Sequence, residues 1–142
     1  MDNTVTSLGA QQWAFGYGAA LLALLAIDAL WLTFYMGPAY KAALGDLLLA
    51  QPRLASAAAF YLLFAVGVVV FAVAPALRAG SWQTAAMFGG LLGLVAYGTY
   101  DLTNYAVLKA WPLGLTLIDI AWGGLLSAAA AVAGYAAANR FG

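Results

Sequence analysis

The sequence predicts an all-α integral membrane protein, a bundle of four transmembrane helices that run alternately up and down. The first observation is composition: of 142 residues, 66% are hydrophobic and only 7% are charged, whereas a soluble domain carries about 25% charged residues. The second is a series of four apolar segments, each near the roughly 20 residues that cross a bilayer. The third is that most links are short, which makes neighbouring helices antiparallel. We expect one transmembrane domain over residues 1–142.

Each predicted helix has a recognisable beginning or end. The four helices cover about residues 13–36, 52–75, 82–108 and 112–138. The first ends before Gly37-Pro38, because this pair is a strong helix stop. The second and fourth begin at Pro52 and Pro112, since proline suits the first turn of a helix. The link over residues 38–53 is mildly amphipathic, so it forms either a short interfacial helix or a plain loop.

Charge and residue types exclude several functions. The chain has five basic and five acidic side chains, which predicts no binding to nucleic acid. It contains no cysteine and no histidine, so disulfides, thiolate chemistry, haem ligation by histidine and histidine-based zinc sites are excluded. We therefore predict no cofactor and no metal centre, and the lipid bilayer is the expected partner.

An even number of crossings puts both termini on one side of the membrane. Three basic residues then lie on the opposite side and two on the side of the termini: Lys41, Arg53 and Lys109 against Arg78 and Arg140. Because cytoplasmic loops are richer in lysine and arginine, we expect residues 38–53 in the cytoplasm and both termini in the periplasm. The N-terminal segment carries Asp2 and no basic residue, so we interpret the first apolar run as a retained helix rather than a signal peptide.

Three aspartates lie within the predicted helices at one depth. Asp28 and Asp101 come near the ends of the first and third helices, and Asp119 lies near the start of the fourth, which runs the other way. At 1.5 Å per residue, all three carboxyl groups lie about 10–12 Å inside the same membrane face. A charged aspartate at the centre of a membrane helix costs about 2.5–3.5 kcal/mol. We therefore expect these acids to face one another, a cavity or a cation, with at least one of them protonated.

Polar and aromatic residues share helix faces with the three acids. The predicted ligand-binding cluster comprises Asp28, Asp101, Asn104, Thr116, Asp119, Tyr97, Tyr105, Trp31 and Trp122. The second helix contributes Tyr61 at most. A purely structural role is the alternative, because hydrogen bonds between helices, worth about 0.6 kcal/mol each, would fix their register. Trp13, Trp82 and Trp111 are instead expected to anchor the helices at the membrane interface.

Small residues recur at the spacing that lets membrane helices approach closely. They form two stripes, Gly89 and Gly93 in the third helix, and Gly123, Ser127 and Ala131 in the fourth. These stripes serve either the interior of the bundle or contact with a partner chain, and we favour the interior.

Two motifs carry a resemblance to a known family. The first reads Y-x-x-Y-D-L-T-N at residues 97–104, and the second reads W-P-L-x-x-T-L-x-D-x-x-W at residues 111–122. Together with IDALWL in the first helix, they resemble a family of small bacterial inner-membrane proteins of unknown function, described only as predicted membrane proteins. The resemblance extends over nearly the whole chain. It implies a four-helix protein of the bacterial inner membrane and supplies no activity.

The polar cluster supports three functional hypotheses. In the first, it binds a small ligand, a lipid, or a proton or other cation, since oxygen ligands alone suit hard cations. In the second, the chain is a membrane enzyme that acts on a lipid or isoprenoid, with carboxyl groups as general acid and base. In the third, it is an accessory subunit of a larger membrane complex. We favour the first, in which a complete transporter would need a homo-oligomer, and we leave open whether the protein catalyses a reaction.

Overall fold

The computed structural model describes residues 7–142, so the N-terminal segment around Asp2 lies outside the description. Within residues 7–142 all the regular secondary structure is helical. The α-helices are α1 (Ala10–Trp31), α2 (Gly37–Leu44), α3 (Leu54–Val68), α4 (Ala74–Ala79), α5 (Trp82–Val107) and α6 (Leu113–Phe141). The predicted all-α class is therefore confirmed.

The first two helices form one continuous rod, called here the first rod. A single π turn, Leu32–Met36, joins α1 to α2, which ends at Leu44. With the 3₁₀ turn that follows, the helical segment Ala10–Leu47 has 38 residues. The sequence predicted a helix end before Gly37-Pro38, followed by a separate interfacial helix or a loop. The structure corrects this prediction, because α2 continues the path of α1 through the proline.

The π turn explains why proline does not end the rod. Proline has no amide N–H, and in an α-helix its ring collides with the carbonyl group four residues earlier. Here the amide of Gly37, just before Pro38, bonds the carbonyl of Leu32 five residues back, which widens the turn. A Cβ at Gly37 would collide with that same carbonyl oxygen. The second rod, α3 to α4, repeats the arrangement, with the π turn Val69–Val73 just before Pro75.

Among residues 7–142, three helical segments are long and apolar enough to cross a membrane: Ala10–Leu47, Leu54–Ala79 and Leu113–Phe141. They correspond to the first, second and fourth predicted spans. α5 has 26 residues and is long enough, but polar residues in its second half, from Tyr97 to Asn104, lower its hydropathy. The fourth crossing therefore stays a prediction.

α6 packs against both α5 and α1. Its contact with α5 is close because small residues face each other. A Cβ at Gly93 would lie 2.5 Å from Ser127 Oγ, and Gly123 lies against the ring of Tyr97 one turn further along. These pairs show that α5 and α6 run antiparallel. The small-residue stripes thus serve the bundle interior, as predicted.

The apolar core lies between the two rods, α5 and α6. Its buried members include Leu24, Val68, Val73, Leu126 and Ala130. The outer surface is also apolar, and the side chains of Leu22, Leu63 and Leu125 are each more than two thirds exposed. A surface covered by large apolar side chains suits contact with lipid rather than with water.

Replacing Gly93 by alanine should destabilise the bundle. The added methyl group collides with Ser127, so α5 and α6 must move apart at a cost of about 1–3 kcal/mol. Gly90→Ala is the matched control, because its nearest neighbours, Ala128 Cβ and the Gly124 carbonyl oxygen, are both 3.7 Å away. We expect the control to leave stability unchanged or to raise it by up to about 1 kcal/mol, because alanine is favoured over glycine in a helix interior. Thermal or detergent-induced unfolding measures both variants, and equal losses would contradict this account of the packing.

Candidate functional site

A cavity of about 260 Å³ lies inside one end of the bundle. Its lining residues come from both rods, α5 and α6: Asp28, Trp31, Leu32, Tyr40, Phe60, Tyr61, Ala96, Tyr97, Tyr100 and Asp119. Phe60 and Asp119 each lie six residues from the start of their helix, which corresponds to about 9 Å. The cavity therefore lies close to the depth that helix counting predicts for the acids.

Asp28 is held by donors from two other helices. Its side chain is only 5% exposed. The Tyr61 hydroxyl of α3 donates to Asp28 Oδ2, and the Trp122 indole N–H of α6 donates to Oδ1 at 3.0 Å. The Trp122 ring is in turn stacked on Trp31, with 4.4 Å between centroids and 9° between planes. Both oxygens of this buried carboxyl group thus have a partner, which fixes its orientation at the cavity wall.

Asp119 contributes the second carboxyl group of the cavity wall. It is 5% exposed and lies next to the Trp31 indole, the Tyr40 hydroxyl and the Asp101 carboxyl. Asp101 is fully buried, and neither of its carboxyl oxygens has a hydrogen-bond partner within residues 7–142. In this part of the chain, no group of three or more acidic side chains is close enough together to hold a metal ion. The acids thus share one end of the bundle without forming a metal-ligand set.

An aromatic cap, defined as Tyr40, Tyr100 and Trp111, lies at the end of the cavity: Tyr40 and Tyr100 line it, and Trp111 packs against both. The Trp111 ring lies 5.5 Å from the rings of both Tyr40 and Tyr100, measured between centroids. The Trp111 amide N–H donates a hydrogen bond to the Leu108 carbonyl oxygen at 3.3 Å. In this turn the indole lies back over the bundle. Trp111 is only 6% exposed. It is therefore not the interfacial anchor that its position in the sequence predicted.

The π turn of the first rod places Tyr40 in this cap. In a regular α-helix Tyr40, twelve residues after Asp28, would be rotated about 120° away from it at 100° per residue. A π turn accommodates one extra residue, so the separation counts as eleven residues and the offset falls to about 20°. Tyr40 therefore comes onto the Asp28 face of the first rod and reaches Asp119.

The structure brings most of the predicted cluster to the cavity and leaves part of it outside. Six of the nine predicted residues lie in the cavity wall or directly behind it: Asp28, Trp31, Tyr97, Asp101, Asp119 and Trp122. Thr116 is buried, but its hydroxyl donates to the Pro112 carbonyl of its own helix at 2.9 Å. Tyr105 is 45% exposed, and Asn104 lies one turn beyond Asp101, away from the lining. These three residues do not contribute to the cavity.

Four aromatic lining residues lie outside the nine-residue cluster predicted from the sequence. From the sequence, Tyr61 was expected only as the most that the second helix contributes, and the other three were not named. Tyr40 was assigned to the link after the first helix, and only the π turn brings it to the acids. Tyr100 directly precedes Asp101, and adjacent helical positions do not share a face. Phe60 stands in an apolar run, and the one polar residue a turn away on its face is the small Ser56, which does not distinguish it. The one signal available in the sequence was the tyrosine pair within the first motif.

A comparison with family models matches residues 13–136. The chain belongs to the DUF2177 family of predicted membrane proteins. The resemblance drawn from the two motifs is thereby confirmed, as is the membrane nature of the protein. The comparison with curated proteins found no match, and neither did the comparison with solved structures. The DUF2177 description names no activity, so a function has to be inferred from the cavity itself.

Tyr61→Phe should destabilise this DUF2177 protein by about 1–3 kcal/mol, because it leaves a buried oxygen of Asp28 without its donor. Tyr35→Phe is the matched control: Tyr35 stacks on Trp31 in the same region, but it is 44% exposed. We expect the control to stay within about 0.5 kcal/mol of wild type. Unfolding of the purified protein in mild detergent gives both values. A loss for Tyr35→Phe as large as that for Tyr61→Phe would count against the assigned bond.

Proposed function

We propose that this DUF2177 protein binds the ammonium group of a small organic cation in the cavity. The observation that carries the proposal is the lining, in which six aromatic rings surround two carboxyl groups and, among residues 7–142, no lysine or arginine takes part. Carboxylates attract positive charge, and the face of an aromatic ring bears the negative end of its quadrupole. A cation gains from both kinds of wall, so its charge is the feature that the cavity recognises.

An organic ammonium suits this lining better than a metal ion does. Ca²⁺ takes about six to eight oxygen ligands, and Mg²⁺ demands a near-octahedral set. Both oxygens of Asp28 already accept hydrogen bonds, from Tyr61 and Trp122, and most of the remaining wall consists of rings. A substituted ammonium needs no set of oxygen ligands, since each well-placed ring contributes about 0.5–2 kcal/mol by cation–π interaction.

The size of the cavity is consistent with a head group rather than a large molecule. A volume of about 260 Å³ equals roughly nine water molecules at about 30 Å³ each. Drug-sized ligands occupy pockets of about 300–1,000 Å³. Asp28 is held in place by its two donors, so we assign Asp119, which faces the cavity beside Trp31, as the principal counter-charge.

The proposal includes four membrane crossings in up-down order. α5 has 26 residues, a length of about 39 Å, and it pairs with α6 in antiparallel fashion. It turns apolar side chains such as Leu91 and Val95 outward, where they are 57% and 59% exposed, while Asp101 is buried. These features support a fourth crossing. We further propose that the protein lies in the bacterial inner membrane with both termini in the periplasm, since the basic residues favour that orientation.

Choline should bind the wild-type protein. Its uncharged analogue, in which carbon replaces nitrogen, should bind at least about tenfold more weakly, which corresponds to a difference in binding free energy of about 1.4 kcal/mol. The two compounds have the same shape, so only charge separates them. Trp31 lines the cavity, and its fluorescence reports binding to the protein in nanodiscs. Asp119→Asn should also weaken choline binding about tenfold or more.

Asp46→Asn is the matched control for this titration. Asp46 lies in the exposed 3₁₀ turn that follows α2, outside the cavity lining, so its replacement should leave choline binding unchanged. Equal affinities for choline and the uncharged analogue would refute recognition by charge. Equal choline affinities for wild type and a folded Asp119→Asn protein would refute the assigned counter-charge.

A further inference from the structure

We infer that the bound cation is the head group of a membrane amphiphile, whose hydrocarbon chain leaves the cavity sideways between α3 and α5. The inference rests on the proposed cation site and adds the class of the ligand and the side from which it enters. The ligand would be an ammonium-bearing amphiphile taken from the bilayer, not a free cation taken from water.

The aromatic cap closes the axial route from water. A ligand that arrived along the bundle axis would meet Tyr40, Tyr100 and Trp111 before either carboxyl group. Ring centroids 5.5 Å apart are in van der Waals contact, and the indole between the two tyrosines is almost completely buried. Entry from this end would require the cap to separate.

The side of the cavity is open. Three lining residues are also exposed on the outer surface of the bundle: Leu32 at 41%, Phe60 at 43% and Tyr100 at 51%. They come from the first rod, α3 and α5, so they surround a gap between these elements. Phe60 lies six residues after the beginning of α3, which corresponds to about 9 Å along the helix. In a membrane, an opening at that depth faces the hydrocarbon chains of lipids.

An apolar groove continues from this opening. Residues 54–63, the first ten of the 15 residues of α3, are exposed except for the half-buried Tyr61, so this part stands away from α5. The two helices come together further along, where a Cβ at Gly67 would lie 3.8 Å from Leu92 Cδ2. Phe64 forms the floor between these points. The distance from the opening to Gly67 is seven residues along α3, or about 10 Å, which accommodates the first part of an alkyl chain.

The site is arranged as a lipid is, with a charged part at one end and an apolar part at the other. Its charged end lies nearer the membrane face, and its groove runs from there toward the middle of the helices. Burying a methylene group from water gains about 0.8 kcal/mol, but a chain that moves from bilayer to groove exchanges one apolar surrounding for another. The chain therefore sets the route and orientation of the ligand, and the ammonium group sets the affinity.

A trimethylammonium amphiphile with a photoreactive diazirine on its alkyl chain tests this route. The protein is held in phosphatidylglycerol nanodiscs, because this lipid has no ammonium head group that would compete. After illumination, mass spectrometry should find label concentrated in the groove, at Leu63, Gly67 and Leu92. Leu22 and Leu125 serve as internal controls, because their exposure of 68% and 69% is close to the 72% of Leu63 but they lie outside the groove. They should carry several-fold less label than the groove residues.

Excess choline should remove the groove label and leave the background label unchanged. Choline binding without groove labelling, or groove labelling that survives excess choline, would overturn the lipid-side route and leave the proposed cation site standing. Absence of binding by both choline and an unlabelled alkyltrimethylammonium amphiphile added to the bilayer would instead refute the cation site, and this inference with it. Asp119→Asn should also lose the groove label. If that variant does not fold, the choline competition with the wild-type protein decides whether groove labelling depends on the cation site.

Discussion

A carboxyl group inside an apolar bundle needs hydrogen-bond donors or a counter-charge, because water is not there to solvate it. This requirement organises the end of the protein that holds the cavity. Asp28 obtains its donors from α3 and α6, through Tyr61 and Trp122. Residues 54–63 of α3 are otherwise exposed, so the bond from Tyr61 is a principal link between that segment and the bundle. One buried acid thus ties three elements together at one level.

The glycine contact between α5 and α6 determines where the other two acids meet. Ordinary helix pairs lie about 8–10 Å apart, and the small residues around Gly93 and Gly123 allow a close approach. Asp101 follows Gly93 by two turns, and Asp119 precedes Gly123 by one, so the two carboxyl groups reach each other at the cavity end. Two buried carboxyl groups in contact cost stability unless they share a proton, and a neutral side chain would fix the helix register at lower cost. This favours a functional role for the acids over a purely structural one.

Depth could be predicted from the sequence, and rotation about the helix axis could not. Counting residues at a constant rise locates the three acids at one end, because this needs only the order and direction of the helices. The position of Tyr40 could not be predicted in this way, since a π turn rotates the residues that follow it about the helix axis while the helix stays continuous. Thr116 lies outside the cavity lining and bonds its own helix, which the sequence could not indicate, because a buried threonine hydroxyl can bond its own helix backbone as well as a neighbour. For Trp111, a ring at the membrane interface and a ring folded over the bundle end give the same sequence pattern.

The same reasoning connects two prolines to the form of the candidate site. Pro38 and Pro75 each follow a π turn that keeps the helix continuous. In the first rod the turn rotates the residues that follow, which brings Tyr40 over the acids and closes the cavity at its end. In the second rod the turn buries Val69, Ala72 and Val73 in the bundle, and Ala65 and Val68 just before it are buried as well. Only residues 54–63 of this rod stand away from α5, and they leave the cavity open toward lipid. A residue pair that indicates a helix end in the sequence therefore gives the cavity its closed end, whereas the beginning of α3 leaves its side open.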